Sequence, residues 1–522
     1  MNQLVIAPLL VALVTAILTL VVRRFSTIQR GVSLLGGVVY VAAVAALWTE
    51  IDPLGASNVI AYQVGDWRAP FGITLVADSL SVFMLALAAV VSLAALAFSV
   101  QYVDEFGQRL SYHPLYHFML VGVTGAFLTG DVFNLFVWFE VMLMSSYVLV
   151  VFYSGPEHTR AALQYVVLNL IGSAVMLLAI GGIYATTGTL NMAQLAERLA
   201  TDSGNIARLP VLGLSALLFT VFALKSGIAP FQFWVPAAYR AAPAPVSAML
   251  AGVVKKVGIY AIIRLYFTVF AGLTIPGGLT LPGLAGNSAL AFFGPVMFIM
   301  ASASILLGGI GAIGRDDVDG LLAYSSIGQV GFIVLPLAIG ATVPGVRTLA
   351  ITAALIYSLN HALAKGLLFL ASGSVFSAVG TDRFADLGGL TRKNPVLSGV
   401  FFVGALSLIG IPPLSGFFGK FLVFRVAGDA GATLALAIAL TGAILTIAYF
   451  SRAWNRGFWG SESAMVEQGG TPTGIAVLSV LAALVLLVGI GFDPVYLAAE
   501  SAARAATEPQ TYINAVMGGG GK

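Results

Sequence analysis

The 522-residue chain has no cysteine, four histidines and only 9% charged residues. Without thiols there are no disulfides, iron–sulfur clusters or thiolate metal sites. His113, His117, His158 and His361 make no HExxH or other clustered ligand pattern, so no metal is expected. No Gly-rich phosphate loop sits in a strand-to-helix context. No basic run carries interleaved aromatics, which excludes nucleic acid as a partner. No cofactor is expected, and any redox chemistry or nucleotide hydrolysis linked to the chain happens elsewhere.

Charge is scarce against the roughly 25% of soluble domains. What fills the chain is apolar: 59% hydrophobic residues and a mean hydropathy of +0.98. Most of it must lie in a lipid bilayer. Net charge +3 and a pI near 9.0 reflect a slight basic excess in loops.

A span needs about 20 apolar residues. Fourteen are read, at 3–22, 31–49, 75–102, 114–130, 132–153, 161–187, 210–238, 245–270, 288–313, 320–341, 348–378, 396–424, 432–451 and 474–492. The expected class is an all-α polytopic membrane protein. The first segment has no basic residue before it and Arg23 and Arg24 after it. That reverses a signal peptide, so it reads as a permanent span. With the N-terminus outside, the cytoplasmic connections carry Arg23, Arg24, Arg30, Arg109, Arg160, Arg240, Arg315, Arg383, Arg392, Lys393, Arg452 and Arg456. The opposite connections and tail carry Arg68, Arg198, Arg208, Arg347, Arg425, Arg504 and Lys522. The positive-inside rule then places both termini outside.

The chain repeats itself. Ala161-Ala162-Leu163-Gln164-Tyr165 in the sixth span matches Ala353-Ala354-Leu355-Ile356-Tyr357 in the eleventh. That register sets Asn169 against His361 and Ser173 against Lys365. Gly227-Ile228-Ala229-Pro230-Phe231 resembles Gly410-Ile411-Pro412-Pro413-Leu414. Partners lie five spans apart, an odd number, so the two five-helix repeats are inverted. Such repeats with Pro-interrupted helices point to a transport path at mid-membrane. The expected division is 1–110 (spans one to three), 111–272 (first repeat), 287–456 (second repeat) and 457–522 (last span and tail).

Charges inside the spans are costly and usually line a polar path or pair with each other. Lys225, Lys255, Lys256, Arg264, Lys365, Lys420 and Glu140 all fall within apolar runs. Pro230 should break the seventh span and Pro412-Pro413 the twelfth. Lys225 and water are expected to satisfy the carbonyls freed at Pro230, and Lys420 lies about two turns past its break. The bland reading of both lysines is snorkelling to an interface.

Glu140 lies roughly 14 Å along its helix, near the midplane. Set against Lys225, it would form a pair that an arriving proton or cation tips between charged and neutral forms. A static ion pair is the alternative. Lys255 and Lys256 are about 100° apart on one helix, so at most one is expected to line the path. Arg264 reads as a headgroup or snorkelling residue. His361 and Lys365 share a face, as suits proton relay. Asp78 reads as interfacial. Asp104-Glu105 and Asp316-Asp317 with Asp319 read as solvated loop charges, though either group could gather protons at a channel mouth. The tail from Asp493 is expected to be disordered or to lie against a partner.

Three stretches carry a resemblance: Leu322-Ala323-Tyr324-Ser325-Ser326-Ile327-Gly328-Gln329, Asn360-His361-Ala362-Leu363-Ala364-Lys365-Gly366, and Gly410-Ile411-Pro412-Pro413-Leu414-Ser415-Gly416-Phe417. From about residue 70 to 460 the chain resembles the antiporter-like membrane subunits shared by respiratory complex I, membrane-bound hydrogenases and Mrp sodium/proton antiporters. The stretches 65–72 (GDWRAPFG) and 129–140 (TGDVFNLFVWFE) look like the D-type branch of the Mrp antiporter subunits.

The resemblance implies fourteen helices, inverted repeats, discontinuous helices seven and twelve, and a mid-membrane chain of ionisable groups. Matched to the motifs, that chain falls on Glu140, Lys225, Lys256, His361, Lys365 and Lys420. It implies a proton-translocating subunit of a multisubunit Mrp-type sodium (cation)/proton antiporter in a bacterial or archaeal cell membrane. Its partners would be the other subunits, protons, sodium and the bilayer. A proton-pumping subunit of complex I or of an energy-converting hydrogenase is the alternative, and a non-transporting scaffold the third reading. The chain lacks the long lateral helix of the largest complex I subunit of this type. It departs from its relatives at Asp317 and Asp319, where they usually carry basic residues. No cluster of carboxylates and hydroxyls marks a sodium site.

Overall fold

The structure is a computed structural model that describes residues 2–201, 206–281 and 284–518. Inside lipid a backbone must satisfy its own hydrogen bonds, so apolar runs of this length become helices. Among the described residues, ten helices are long and apolar enough to cross a membrane. Ala7–Val21, Tyr112–Leu128, the pair Pro395–Ile409 and Ser415–Asp429, and Ile475–Ile490 complete the fourteen expected positions. The boundary read between the fourth and fifth spans is a real break between helices, at Thr129-Gly130-Asp131.

Two short antiparallel ribbons were not foreseen. Ile60–Gln63 pairs with Thr74–Ala77, and Thr274–Leu281 with Leu284–Ser288. The third span therefore begins at Ser79 rather than 75: Asp78 caps it by accepting from the Ser81 amide at 2.9 Å, the favoured role of Asp at a helix start.

The repeat is written into the backbone. Val132 N donates to Leu190 O, and Met192 N to Gly130 O. In the second repeat Val318 N donates to Asp382 O, and Phe384 N to Asp316 O. Each clasp ties the start of one span to the end of the next. Asp131 and Asp317 cap the clasped helices, through the Asn134 and Gly320 amides. Gly188 (φ 71°) and Gly380 (φ 80°) end the partner helices in the left-handed region that favours glycine.

Small residues let helices nine and ten approach closely. A Cβ on Gly308 would lie 2.2 Å from the Gly328 amide nitrogen, the close backbone contact that small residues permit between membrane helices. The eighth span, 244–269, is buried at every residue from 245 to 269. It is the axle of the bundle.

The tail differs from expectation. Phe492–Thr507 turns 79° from the fourteenth span and packs on the third and eleventh. Ala498, Ala499, Ala502, Ala503 and Ala506 are buried there. Their short side chains allow close apolar packing, and the partner the tail needs is its own chain.

Candidate functional site

The seventh span runs Arg208–Ser226, breaks, and resumes at Trp234–Ala241. Gly227 (φ 65°) makes the turn. The Leu224 carbonyl freed there takes the Trp234 indole N–H at 2.8 Å, and the Ala229 amide donates to Ser304 Oγ at 2.8 Å. Lys225 is therefore not the group that repairs this break. Its ammonium turns to Ser173 Oγ at 3.1 Å, and Ser173 donates in turn to Glu140 Oε1. The carboxylate and amine thus meet through a hydroxyl rather than directly. Ser173 can pass a proton along that line by accepting from one side and donating to the other. Glu140 is half-buried, on a helix that turns Phe133, Met144 and Val148 outward.

In the twelfth span Gly410 (φ 94°) makes the matching turn. Ser407 and Ser415 both donate to Asn360 Oδ1, at 2.7 and 2.9 Å, which clamps the two half-helices. Here the lysine does repair the break: Lys420 Nζ donates to Ile409 O at 3.1 Å. Lys225 and Lys420 are only 3% and 4% exposed, so neither snorkels out of the bundle.

Between the breaks lies a cluster of bases without an acid. Lys256 donates to Ala251 O at 2.8 Å and meets His361 Nδ1. His361 Nε2 is 3.3 Å from Ser326 Oγ, which Lys255 Nζ also reaches at 3.3 Å. Lys365 Nζ donates to Leu322 O at 2.8 Å. Two protonation states fit the Lys256–His361 contact: an ammonium donating to bare Nδ1, or Nδ1–H donating to a neutral amine. A proton can shift between them without any large movement. Burying several amines together without a carboxylate disfavours having all of them charged at once.

Lys255 and Lys256, of which at most one is expected to line the path, both join one set of contacts. Their faces are 100° apart, but the eighth span is enclosed on every side, so both amines reach protein. Lys255 and Lys256 come together again through Ser326 and His361. The hydroxyls Ser173 and Ser326 had been missed as members of the line. The signal was available: the clasp register that sets Asp131 against Asp317 sets Glu140 against Ser326.

Asp78 and Arg264 are also corrected. Arg264 Nη2 holds both carboxylate oxygens of Asp78, at 2.7 and 2.6 Å, and both side chains are 1% exposed. Pairing removes the penalty that would push either charge to a headgroup. Asp104 caps a short helix through Gly107, and Glu105 pairs with Arg109 in the open, as solvated loop charges do. His113 and His117 are both buried, 2.9 Å from Ser33 Oγ, away from this line. Among the described residues no group of three or more His, Cys, Asp or Glu side chains is placed to hold a metal.

Residues 129–446 match the family described as NADH:quinone oxidoreductase/Mrp antiporter, transmembrane. The chain belongs to this family. It is 34% identical to the D-type subunit of the Na(+)/H(+) antiporter of Alkalihalophilus pseudofirmus, over 99% of this chain and 100% of that one. It is 37% identical to the N-type subunit of the NADH-quinone oxidoreductase of Desulforudis audaxviator, over 86% and 84%. Its fold superposes on a chain of the Mrp complex from Dietzia sp. DQ12-45-1b with a TM-score of 0.85 at 28% identity, covering 99% of both. The chain is thus a multi-pass membrane subunit of the antiporter type.

Proposed function

We propose that the chain is the proton-translocating subunit of a multisubunit Mrp-type sodium (cation)/proton antiporter. The observation that carries this reading is the buried line from Glu140 through Ser173 to Lys225, with Lys255, Lys256, His361, Lys365 and Lys420 beyond it. A scaffold would be more stable with apolar side chains at those positions, since buried charge costs free energy. Glu140, Lys225, Lys256, His361, Lys365 and Lys420 are assigned as proton carriers, and Pro230, Pro412 and Pro413 as the helix breaks that admit them. Lys255 joins the set. The arginine-rich face is assigned to the cytoplasm of a bacterial or archaeal cell, with both termini outside. The repeats are taken as 111–272 and 287–456, after helices in 1–110 and before the last span and tail in 457–522. The chain works as a transporter rather than an enzyme, beside other membrane subunits.

The Desulforudis oxidoreductase subunit, at 37% identity, favours a second reading as a proton-pumping subunit of a redox complex. The end-to-end match with the Alkalihalophilus antiporter subunit ranks the first reading higher.

The test is sodium-dependent pH change in inverted vesicles carrying the whole complex, with wild-type chain or Glu140→Ala. Sodium-driven proton movement that vanishes in the assembled variant supports antiport through this chain. Pumping that ignores sodium and requires a redox donor moves the assignment to the second reading. Antiport unchanged by the substitution overturns the proposed role of Glu140.

A further inference from the structure

Spans ten and eleven run antiparallel and touch through a ladder of polar contacts. From the arginine-rich face inward, Ser372 donates to Asp319 Oδ1 at 2.6 Å, Lys365 to Leu322 O at 2.8 Å, Ser326 Oγ meets His361 Nε2 at 3.3 Å, and Tyr357 donates to Gln329 Oε1. On the tenth span these rungs fall at 319, 322, 326 and 329, so about 4.5–6 Å separates each from the next. The first rung opens on a cavity of about 800 Å³ whose walls include Asp319, Ser372, Tyr324, Arg240, Arg315 and His158. At ~30 Å³ per molecule it has room for many waters. Lys365, two turns below Ser372 on the same helix, is fully buried.

Asp319 is not part of the repeated scaffold. The clasps set Asp317 against Asp131, and with that register Asp319 falls opposite Phe133, a residue 42% exposed. Asp317 has structural work, capping the helix through Gly320 N and pairing with Arg240 at 3.3 Å. The Asp319 carboxylate has Ser372 as its donor, while its own amide donates to Asp382 Oδ2 at 3.3 Å. Asp382, Asp317 and Arg240 act on its charge, and Tyr102, Arg315 and His158 share the cavity wall with it.

We propose that Asp319 takes up protons from the water of this cavity and hands them down the ladder to Lys365. The proposal rests on the proton-translocating function proposed above. In the step, water in the cavity gives a proton to the Asp319 carboxylate, which becomes a neutral acid. The acid releases that proton to water in the one-turn gap, and a neutral Lys365 amine takes it up as ammonium. Asp319 returns to carboxylate. The Leu322 carbonyl holds Lys365 in place but has no proton to pass on.

The experiment uses the whole complex in inverted vesicles. Asp319→Asn keeps the Ser372 hydrogen bond but cannot carry the proton, and is expected to lower sodium-driven proton movement about 10²-fold, as for loss of a positioned proton donor. Asp319→Glu is expected to restore most of the rate. Wild-type rate in Asp319→Asn, with Glu140→Ala inactive, overturns the uptake role and leaves the function standing. Wild-type rate in both overturns the uptake role and the proposed role of Glu140 together, and loss in both with Asp319→Glu active supports the two.

Should Asp319→Asn fail to assemble, Ser372→Cys decides. It places a single thiol in a chain that has none. A charged, membrane-impermeant thiosulfonate added to inverted vesicles is expected to label it and block transport. Labelling only from the opposite face, or from neither face, overturns the proposal.

Discussion

The two repeats share one scaffold and carry different charged groups on it. In the first, a carboxylate on the fifth span, a hydroxyl on the sixth and an amine on the seventh form a line, Glu140–Ser173–Lys225. At the matching places the second repeat has Ser326, Lys365 and Leu408. Hydroxyl and amine have moved one helix back, and the acid is gone. The breaks differ as well. Trp234 repairs the first, which frees Lys225 to face Ser173 and Glu140, whereas Lys420 is spent on the Ile409 carbonyl. A helix clasp and a glycine turn thus fix where groups can stand, not which charges stand there. The first repeat holds a counter-ion for Lys225, while the cluster where the repeats meet, Lys255 and Lys256 from the eighth span with His361 and Lys365 from the eleventh, holds none of its own.

The sharpest break of this comparison is Glu140→Gln beside Ser326→Ala. The amide keeps the shape of Glu140 but not its charge, and sodium-driven proton movement is expected to fall about 10²-fold or more. Ser326→Ala leaves Lys255, Lys256, His361 and Lys365 in place and is expected to stay within about tenfold, since each ~1.4 kcal/mol of barrier is a factor of ten. Equal losses would show that the acid in the first repeat has no special standing.

Next comes Ser173→Ala, which removes the hydroxyl between Glu140 and Lys225. An expected loss of about tenfold, recovered in Ser173→Thr, would sharpen the view that the pair works through an oxygen. No loss would mean that water or direct contact replaces it.

The breaks can be compared by stability. Asn360→Ala strips the acceptor from both Ser407 and Ser415, at an expected cost of about 1–3 kcal/mol in thermal unfolding of the solubilised complex. Ser304→Ala leaves one amide, that of Ala229, without its acceptor and is expected to cost about 1 kcal/mol. A larger loss at Ser304 would reverse the ranking of the two clamps. The smallest effect belongs to Arg425→Gln, which removes a pair with Asp429 that is about half exposed on each side. Within about 0–1 kcal/mol of wild type is expected, as for surface ion pairs generally.

The spans were legible because lipid leaves long apolar runs almost no choice but helix. The breaks were legible because proline removes a helical hydrogen bond and at Pro230 and Pro412 it follows a glycine of positive φ, whereas Pro295 and Pro336 sit inside helices that run on through them. The repeat showed through Ala161–Tyr165 and Ala353–Tyr357, which keep one register over 192 positions. Pairings across the bundle were not legible. Asp78 and Arg264 stand 186 residues apart, and neither neighbourhood says that the other waits for it. Helical periodicity kept Lys255 and Lys256 on separate faces, and that was correct as far as it went. It could not say that the eighth span is enclosed on every side. The bridging role of Ser173 was hidden because serine in an apolar helix usually just bonds back to its own backbone, as Ser358 does to Ala354.

The helix Phe492–Thr507 also bears on how the protein is made. Ser501 Oγ bonds Ser79 Oγ at 2.8 Å and Ser57 Oγ at 2.7 Å, and Thr268 Oγ1 donates to Ala506 O at 2.9 Å. Early, middle and late segments are tied together by a piece translated after all fourteen spans. Segments that fold as they emerge from the ribosome cannot use contacts not yet synthesised. Ser79, at the start of the third span, therefore gains its Ser501 contact only once residue 501 has been made. The corner where Ser57, Ser79 and Ser501 meet closes late in synthesis.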